Sequence, residues 1–440
     1  MVNVDSLGVY IFFKDLRLHD NDILNTLSKK CHKIICLCLL DEPNQHKCID
    51  NTNFLYEAIL DLNLQLRRHG SRLYVVLRKN ILSVLNTIKN NFTHKICVGF
   101  FGLDLTLPPD YDVITYETRG LTKVHKNYLK FSAYYQQAKN VVISPIDAPL
   151  PVKYFKKSID KIFDLEILVR LKVKYSLKTS VLGQRSFGLR RIKETLNDPY
   201  YLTNYVLMDQ VHLSQYSLFP YLDLGIISLR EAYVIYNQSN MDTDLKTRMI
   251  KELYKRDFYA QYQSAKSLSK ILQIKWPKVN LNYWTLFLEG NTGFLIIDAG
   301  ITELQMTGML HEKMLEMIIF FWTKCLLIDI YDPQYGIIDG LSRLLSCANF
   351  DLIKWYVLQT KYIDLENARI SRYDPDGIYI KKWLPHLKVV DVKYIRSWST
   401  ITKNKLSQDF GIFIDHNVPL FNQKEQYKQW IKINNFKAKK

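Results

Sequence analysis

The sequence contains no CxxC pair, no low-complexity tract and no uninterrupted apolar run of membrane-spanning length. Its seven cysteines are odd in number and lack metal-site spacing, which argues against both a disulfide framework and a zinc site. With no secretory signal read at the N-terminus, the expected setting is reducing and cytoplasmic. The most apolar segment, Met314 to Ile330, is interrupted by Glu316 and Lys324. It is too short and too charged to cross a bilayer, and it predicts a buried helix. Acidic residues are in deficit, 43 against 60 basic, for a net charge of +17. Such an excess predicts a polyanionic partner, nucleic acid first. Codon bias toward Lys, Asn, Ile and Tyr is the alternative source of the same charge.

What is present is a chain of 440 residues, 48% apolar, enough for a large core and more than one domain. Short apolar runs at 8–13, 33–40, 72–76, 95–100 and 112–116 alternate with helical spacing over 54–68 and 81–90. That rhythm predicts an α/β N-terminal domain on a doubly wound parallel sheet, over residues 1–140. Residues 141–178 lack periodicity and contain Pro145, Pro149 and Pro151, so they are read as an interdomain linker. Apolar spacing of three to four residues, without a convincing hairpin, predicts an all-α domain over 179–395, followed by a C-terminal extension, 396–440.

The segment Phe13-Lys14-Asp15-Leu16-Arg17-Leu18-His19-Asp20-Asn21 follows the first strand, where an open α/β sheet places ligands. It resembles the RxDLRLHDN signature of DNA photolyases and cryptochromes. Further matches keep the family's order: Phe219-Pro220-Tyr221-Leu222, then Glu252 to Tyr259, then Glu289-Gly290-Asn291-Thr292-Gly293 running into Ile297-Asp298-Ala299. Lys324 with Leu326-Leu327-Ile328-Asp329 completes that helix pair, and Tyr373 to Gly377 leads to Trp383-Leu384-Pro385-His386-Leu387. The similarity spans about 8–390 and runs to the folate-type pyrimidine dimer photolyases of bacteria.

The resemblance implies FAD in the helical domain, a carbon–carbon lyase reaction driven by light, and DNA containing pyrimidine dimers as partner of a monomer. It also assigns residues. Glu252 stands at a substrate-contacting Glu and Asn349 at an Asn facing the reactive ring nitrogen, the two catalytic candidates. Tyr205, Ser214, Ser217 and Leu218 stand near the phosphate clamp, although the family's Thr-Ser-x-Leu-Ser reads Gln215-Tyr216-Ser217-Leu218-Phe219 here. His311 opens a stretch whose first Arg is Lys313 and whose second is Leu315. The acidic partners of that second Arg fall on Arg343 and Leu345 without gaps, or on Asp339-Gly340 with compensating gaps. Lys255, in place of a stacking Trp, joins Arg256, Tyr259 and Lys313 as DNA-contact candidates. The family's electron-relay tryptophans appear as Phe287, Ile330 and Ile353, with Trp284, Trp322 and Trp355 nearby as packing residues. An antenna folate, 5,10-methenyltetrahydrofolate, would want a Tyr-Glu pair where Phe100-Phe101-Gly102-Leu103-Asp104 stands.

The leading expectation is therefore light-dependent repair of cyclobutane pyrimidine dimers by electron transfer from reduced FAD. The substitutions at Phe219, Lys255, Leu315 and Ile353 support another, a flavin-free photolyase-like module that binds DNA or a protein without catalysis. A light-sensing cryptochrome is a third, disfavoured by the short segment after Leu387.

Overall fold

In the computed structural model the described residues are 3–13, 15–40, 49–92, 96–101, 105–116, 120–122, 128, 130–146, 153–156, 182–197, 218–261, 274–307, 310, 312–329, 332, 357, 362–366, 370, 372–400, 408–409, 411 and 416–434. They fall in two compact units, residues 1–196 with 218–261, and residues 197–217 with 262–440.

The first unit is built on five strands: β1 (Asn3–Phe12), β2 (Cys31–Leu40), β3 (Leu73–Leu77), β4 (Ile96–Phe101) and β5 (Asp112–Tyr116). All pair in parallel, in the order β3-β2-β1-β4-β5. The order reverses beside β1, as in a doubly wound sheet. The crossovers are α1 (Asp22–Lys30), α2 (Ile49–Arg68) and α3 (Ile81–Phe92). Alternate residues of each strand point to opposite faces, so β1 sends Leu7, Val9 and Ile11 toward Ile81, Leu85 and Ile88 of α3. Gly99 faces the other way, where an added Cβ would lie 2.6 Å from Ile23 of α1. Its missing side chain lets that helix settle on the sheet. All five strands expected from the sequence are present.

Past the sheet, the same unit holds α4 (Phe131–Ala138), α5 (Arg185–Asn197), α6 (Phe219–Asp223), α7 (Leu229–Gln238) and α8 (Thr243–Gln261). Within 141–178, the described residues 141–146 and 153–156 form no helix, and Tyr154 makes one isolated bridge to Ile34.

The second unit is helical among the described residues. It contains α9 (Leu281–Leu288), α10 (Leu295–Thr307), α11 (Glu312–Phe320), α12 (Ile378–Trp383), α13 (Val392–Arg396) and α14 (Gln423–Ile433). One expectation is corrected here. Among its described residues the segment read as a helix over 314–330 is largely buried, but α11 passes into a π-turn at Phe321–Cys325 and the helix ends there. Leu327 adopts a left-handed φ of 60°, and Leu326-Leu327-Ile328-Asp329 leave the helix. Apolar spacing alone cannot register that stop, because the residues beyond it are equally buried.

Candidate functional site

The charged loop after β1 is folded inward. Arg17 donates from Nη1 to the Gly225 carbonyl at 2.9 Å and from Nη2 to the Asp20 carbonyl at 2.9 Å. Burial pulls its guanidinium below the ordinary arginine range, against the attraction of Asp15 and Asp20. The Tyr10 hydroxyl donates to Asp15, and Asn21 caps α1 by accepting from the Leu24 amide at 3.0 Å. Asp20 accepts from the Ser228 hydroxyl and pairs with Arg230 at 2.7 Å. These charges hold the turn before α7 and the start of α7 against the sheet, so the loop works as a joint within the first unit.

That joint positions the segment leading to α8, which carries four of the expected contacts. Glu252 and Lys255 are half-buried and form an ion pair at 2.6 Å, one turn apart. Arg256 is buried and paired with Asp223 of α6, and Tyr259 is buried against Phe258, ring centroids 5.6 Å apart. Beneath them lies Asp257, fully buried. It accepts from the Thr122 amide and hydroxyl, each at 2.9 Å, and from the Tyr134 hydroxyl. Three donors on one buried carboxylate fix the rotation and axial position of α8. Nothing in the spacing of 252–259 separates this anchor from its charged neighbours, and sequence reasoning missed it.

In the second unit, Lys313 is half-buried and pairs with Glu316 at 3.2 Å, while Leu315 is 7% exposed in the apolar side of α11. Asp298 of α10, fully buried, accepts from the Thr292 amide at 2.9 Å and hydroxyl at 2.7 Å, the Gly293 amide at 2.9 Å and His416 Nε2 at 3.0 Å. His416 in turn meets exposed His386 at 3.2 Å. Of the tryptophans read as packing, Trp322 is buried with its ring 5.0 Å from that of half-buried Trp284 and 5.1 Å from that of Phe287.

Leu218, at the clamp position, is half-buried and precedes α6 without a side-chain cap. Tyr205, Ser214, Ser217, His311, Asp339 and Asn349 lie outside the described residues, as do Arg343, Leu345, Ile330, Ile353 and Trp355. Of the antenna stretch, Phe100 and Phe101 end β4, and 102–104 also lie outside. The structure thus brings Glu252, Lys255, Arg256 and Tyr259 onto one helix and describes Lys313 and Leu218 separately. Among the described residues no cluster of His, Cys, Asp or Glu could hold a metal ion, and no helix is long and apolar enough to cross a membrane.

Comparison with known proteins gives two family matches: "FAD binding domain of DNA photolyase" over residues 249–435, and "DNA photolyase" over residues 8–98. A deoxyribodipyrimidine photo-lyase of Buchnera aphidicola is 23% identical over 470 aligned residues, covering 95% of this chain and 94% of that protein. Cryptochrome-1 of Macaca fascicularis is 23% identical over 450, covering 88% of this chain and 75% of that protein. The archaeal photolyase from Sulfolobus tokodaii, crystallised with two FAD molecules, superposes with a TM-score of 0.74 at 21% identity, covering 98% of this chain and 99% of the other.

Proposed function

Because the chain belongs to the DNA photolyase/cryptochrome family, with its FAD-binding domain, we propose that it is a deoxyribodipyrimidine photolyase repairing cyclobutane pyrimidine dimers in DNA under light. The observation that carries the reading is Glu252. By the resemblance its carboxylate falls at the family's substrate-contacting position; it is half-buried and sits on a helix locked from beneath by Asp257.

The division of labour follows from residue chemistry. A pyrimidine dimer flipped from the duplex presents carbonyl and N–H edges, which a fixed carboxylate reads through its hydrogen-bonding pattern. Lys255 holds Glu252 in place when DNA is absent. On binding, the ammonium can turn to a backbone phosphate, freeing the carboxylate for the base edge. Arg256, paired with Asp223, and Tyr259 are buried on the same helix.

At the place of the family's second Arg, Leu315 is 7% exposed in the apolar side of α11, so the exchange strands no buried charge beside a flavin. By this reading Tyr205, Ser214, Ser217, Leu218, His311, Asp339 and Asn349 would hold the cofactor, with Asn349 at the reactive ring nitrogen. When bound and fully reduced, FAD supplies the light-excited electron that splits the dimer and then returns. Replacement of the second Arg by Leu315 also favours the alternative of a flavin-free DNA-binding module, for which the family fold would serve as scaffold alone. Neither reading needs an antenna folate: in the first the reduced flavin itself absorbs, and in the second there is no light-driven step.

Glu252→Ala tests the assignment. It is expected to weaken binding to dimer-containing duplex by about tenfold, ~1.4 kcal/mol, while leaving undamaged duplex nearly unchanged. Equal losses on both DNAs would remove Glu252 from the pocket.

A further inference from the structure

One surface of the first unit remains without a role in dimer recognition. On α4, Phe131, Tyr135 and Lys139 recur every four residues and form one line along the helix. Phe131 and Tyr135 are half-exposed and stacked, ring centroids 5.6 Å apart at 28°. Lys130 and Lys139 cap the two ends of this helix, which has no acidic residue. Across from it, Arg248 and Lys251 lie one turn apart on α8, both exposed, and the Lys251 ammonium sits 5.4 Å from the Tyr135 ring centre. Among the described residues none of these four cations pairs with a carboxylate. Asp244 and Glu252 stand one turn to either side of Arg248 on α8, and Glu252 is held by Lys255.

We propose that α4 and the adjoining edge of α8 form a second nucleic-acid contact, one that takes an unpaired DNA strand. Half-exposed stacked rings bordered by unpaired cations match both halves of a single strand: flat base faces and regularly spaced phosphates. A duplex offers the phosphates but keeps its base faces stacked inside. A base laid on Tyr135 takes the place of the Lys251 ammonium, which turns to the neighbouring phosphate; an exposed cation–π contact is weak enough to be exchanged in this way. Lys139 and Arg248 meet the phosphates on either side. The contact needs neither flavin nor a dimer.

The test is binding of undamaged oligothymidylate in the dark, compared with a duplex of equal length, over a range of salt. Tyr135→Leu keeps apolar bulk against Tyr254, whose ring lies 5.4 Å away, and is expected to weaken oligothymidylate binding about fivefold or more with little effect on duplex. Lys251→Ala and Arg248→Ala, both at exposed positions, should each lower the salt-dependence slope by about 0.7 on the single strand. Wild-type protein that fails to bind oligothymidylate, variants that leave the slope unchanged, or losses equal on duplex would each overturn the proposal. Because no repair is assayed, these outcomes are independent of whether dimers are split.

Discussion

An ammonium taken out of water loses hydration that aromatic faces replace only in part, and Lys324 is in that position. It is buried in the π-turn, 5.5 Å from the Phe320 ring and 5.2 Å from that of Trp430 on α14. Burial lowers its pKa from 10.5 to about 7, against the attraction of Cys325 and Glu316. The unfolded chain therefore binds more protons at this site between pH 7 and 10.5, so stability rises with pH across that window. Denaturant unfolding at stepped pH should show a slope of up to about 1.4 kcal/mol per pH unit from this group. Lys324→Met should flatten the slope and stabilise the protein at pH 7 by about 1–4 kcal/mol. A variant less stable than wild type at pH 7 would mean that the two rings outweigh the lost hydration. The same residue marks what sequence reading could reach. Lys324 was legible as an interruption that excludes a membrane span, but its partner Trp430 lies more than a hundred residues away and no local pattern joins them.

Elements built on local periodicity were the most legible. The run Lys33 to Leu40 reads as a strand because β-branched and other apolar residues fill both faces of a central parallel strand, and it lies within β2. The end of α11 was not legible, since the backbone reversal at Leu327 leaves the apolar pattern intact. Nor was the carboxylate anchoring of α8, because Asp257 finds its donors on other segments, nor the contact of Asp298 on α10 with His416, which lies far along the chain. Of the candidate site, the residue types on α8 were readable from the resemblance, while the burial that separates Glu252 from Arg256 was not. The loop before α10 gives an element-scale prediction. Gly293 has φ 80°, and an added Cβ would lie 2.1 Å from the Val418 backbone, where Leu420 also donates to the Thr292 carbonyl. Gly293→Ala should therefore displace residues 416–420 and lower stability by at least ~1–3 kcal/mol, with faster amide exchange at Leu420. Unchanged exchange there would show that the strand of chain can move aside without loss.

For the whole molecule, the charge of +17 favours a phosphate backbone as partner through counterion release. Binding to undamaged duplex should weaken steeply with salt, whereas the preference for dimer-containing over undamaged duplex should change little, because base reading is not a counterion effect. A preference that disappears with rising salt would assign recognition to charge alone. Light-driven repair remains the stronger claim, and it separates the photolyase reading from a flavin-free scaffold. The most direct measurement loads the purified protein with FAD, quantifies the flavin released on denaturation, and follows loss of dimers from a defined oligonucleotide in blue light and in the dark. Near-stoichiometric flavin with dimer loss only in the light is the predicted result. Absence of bound flavin, or flavin-loaded reduced protein that leaves dimers intact under light, would contradict it.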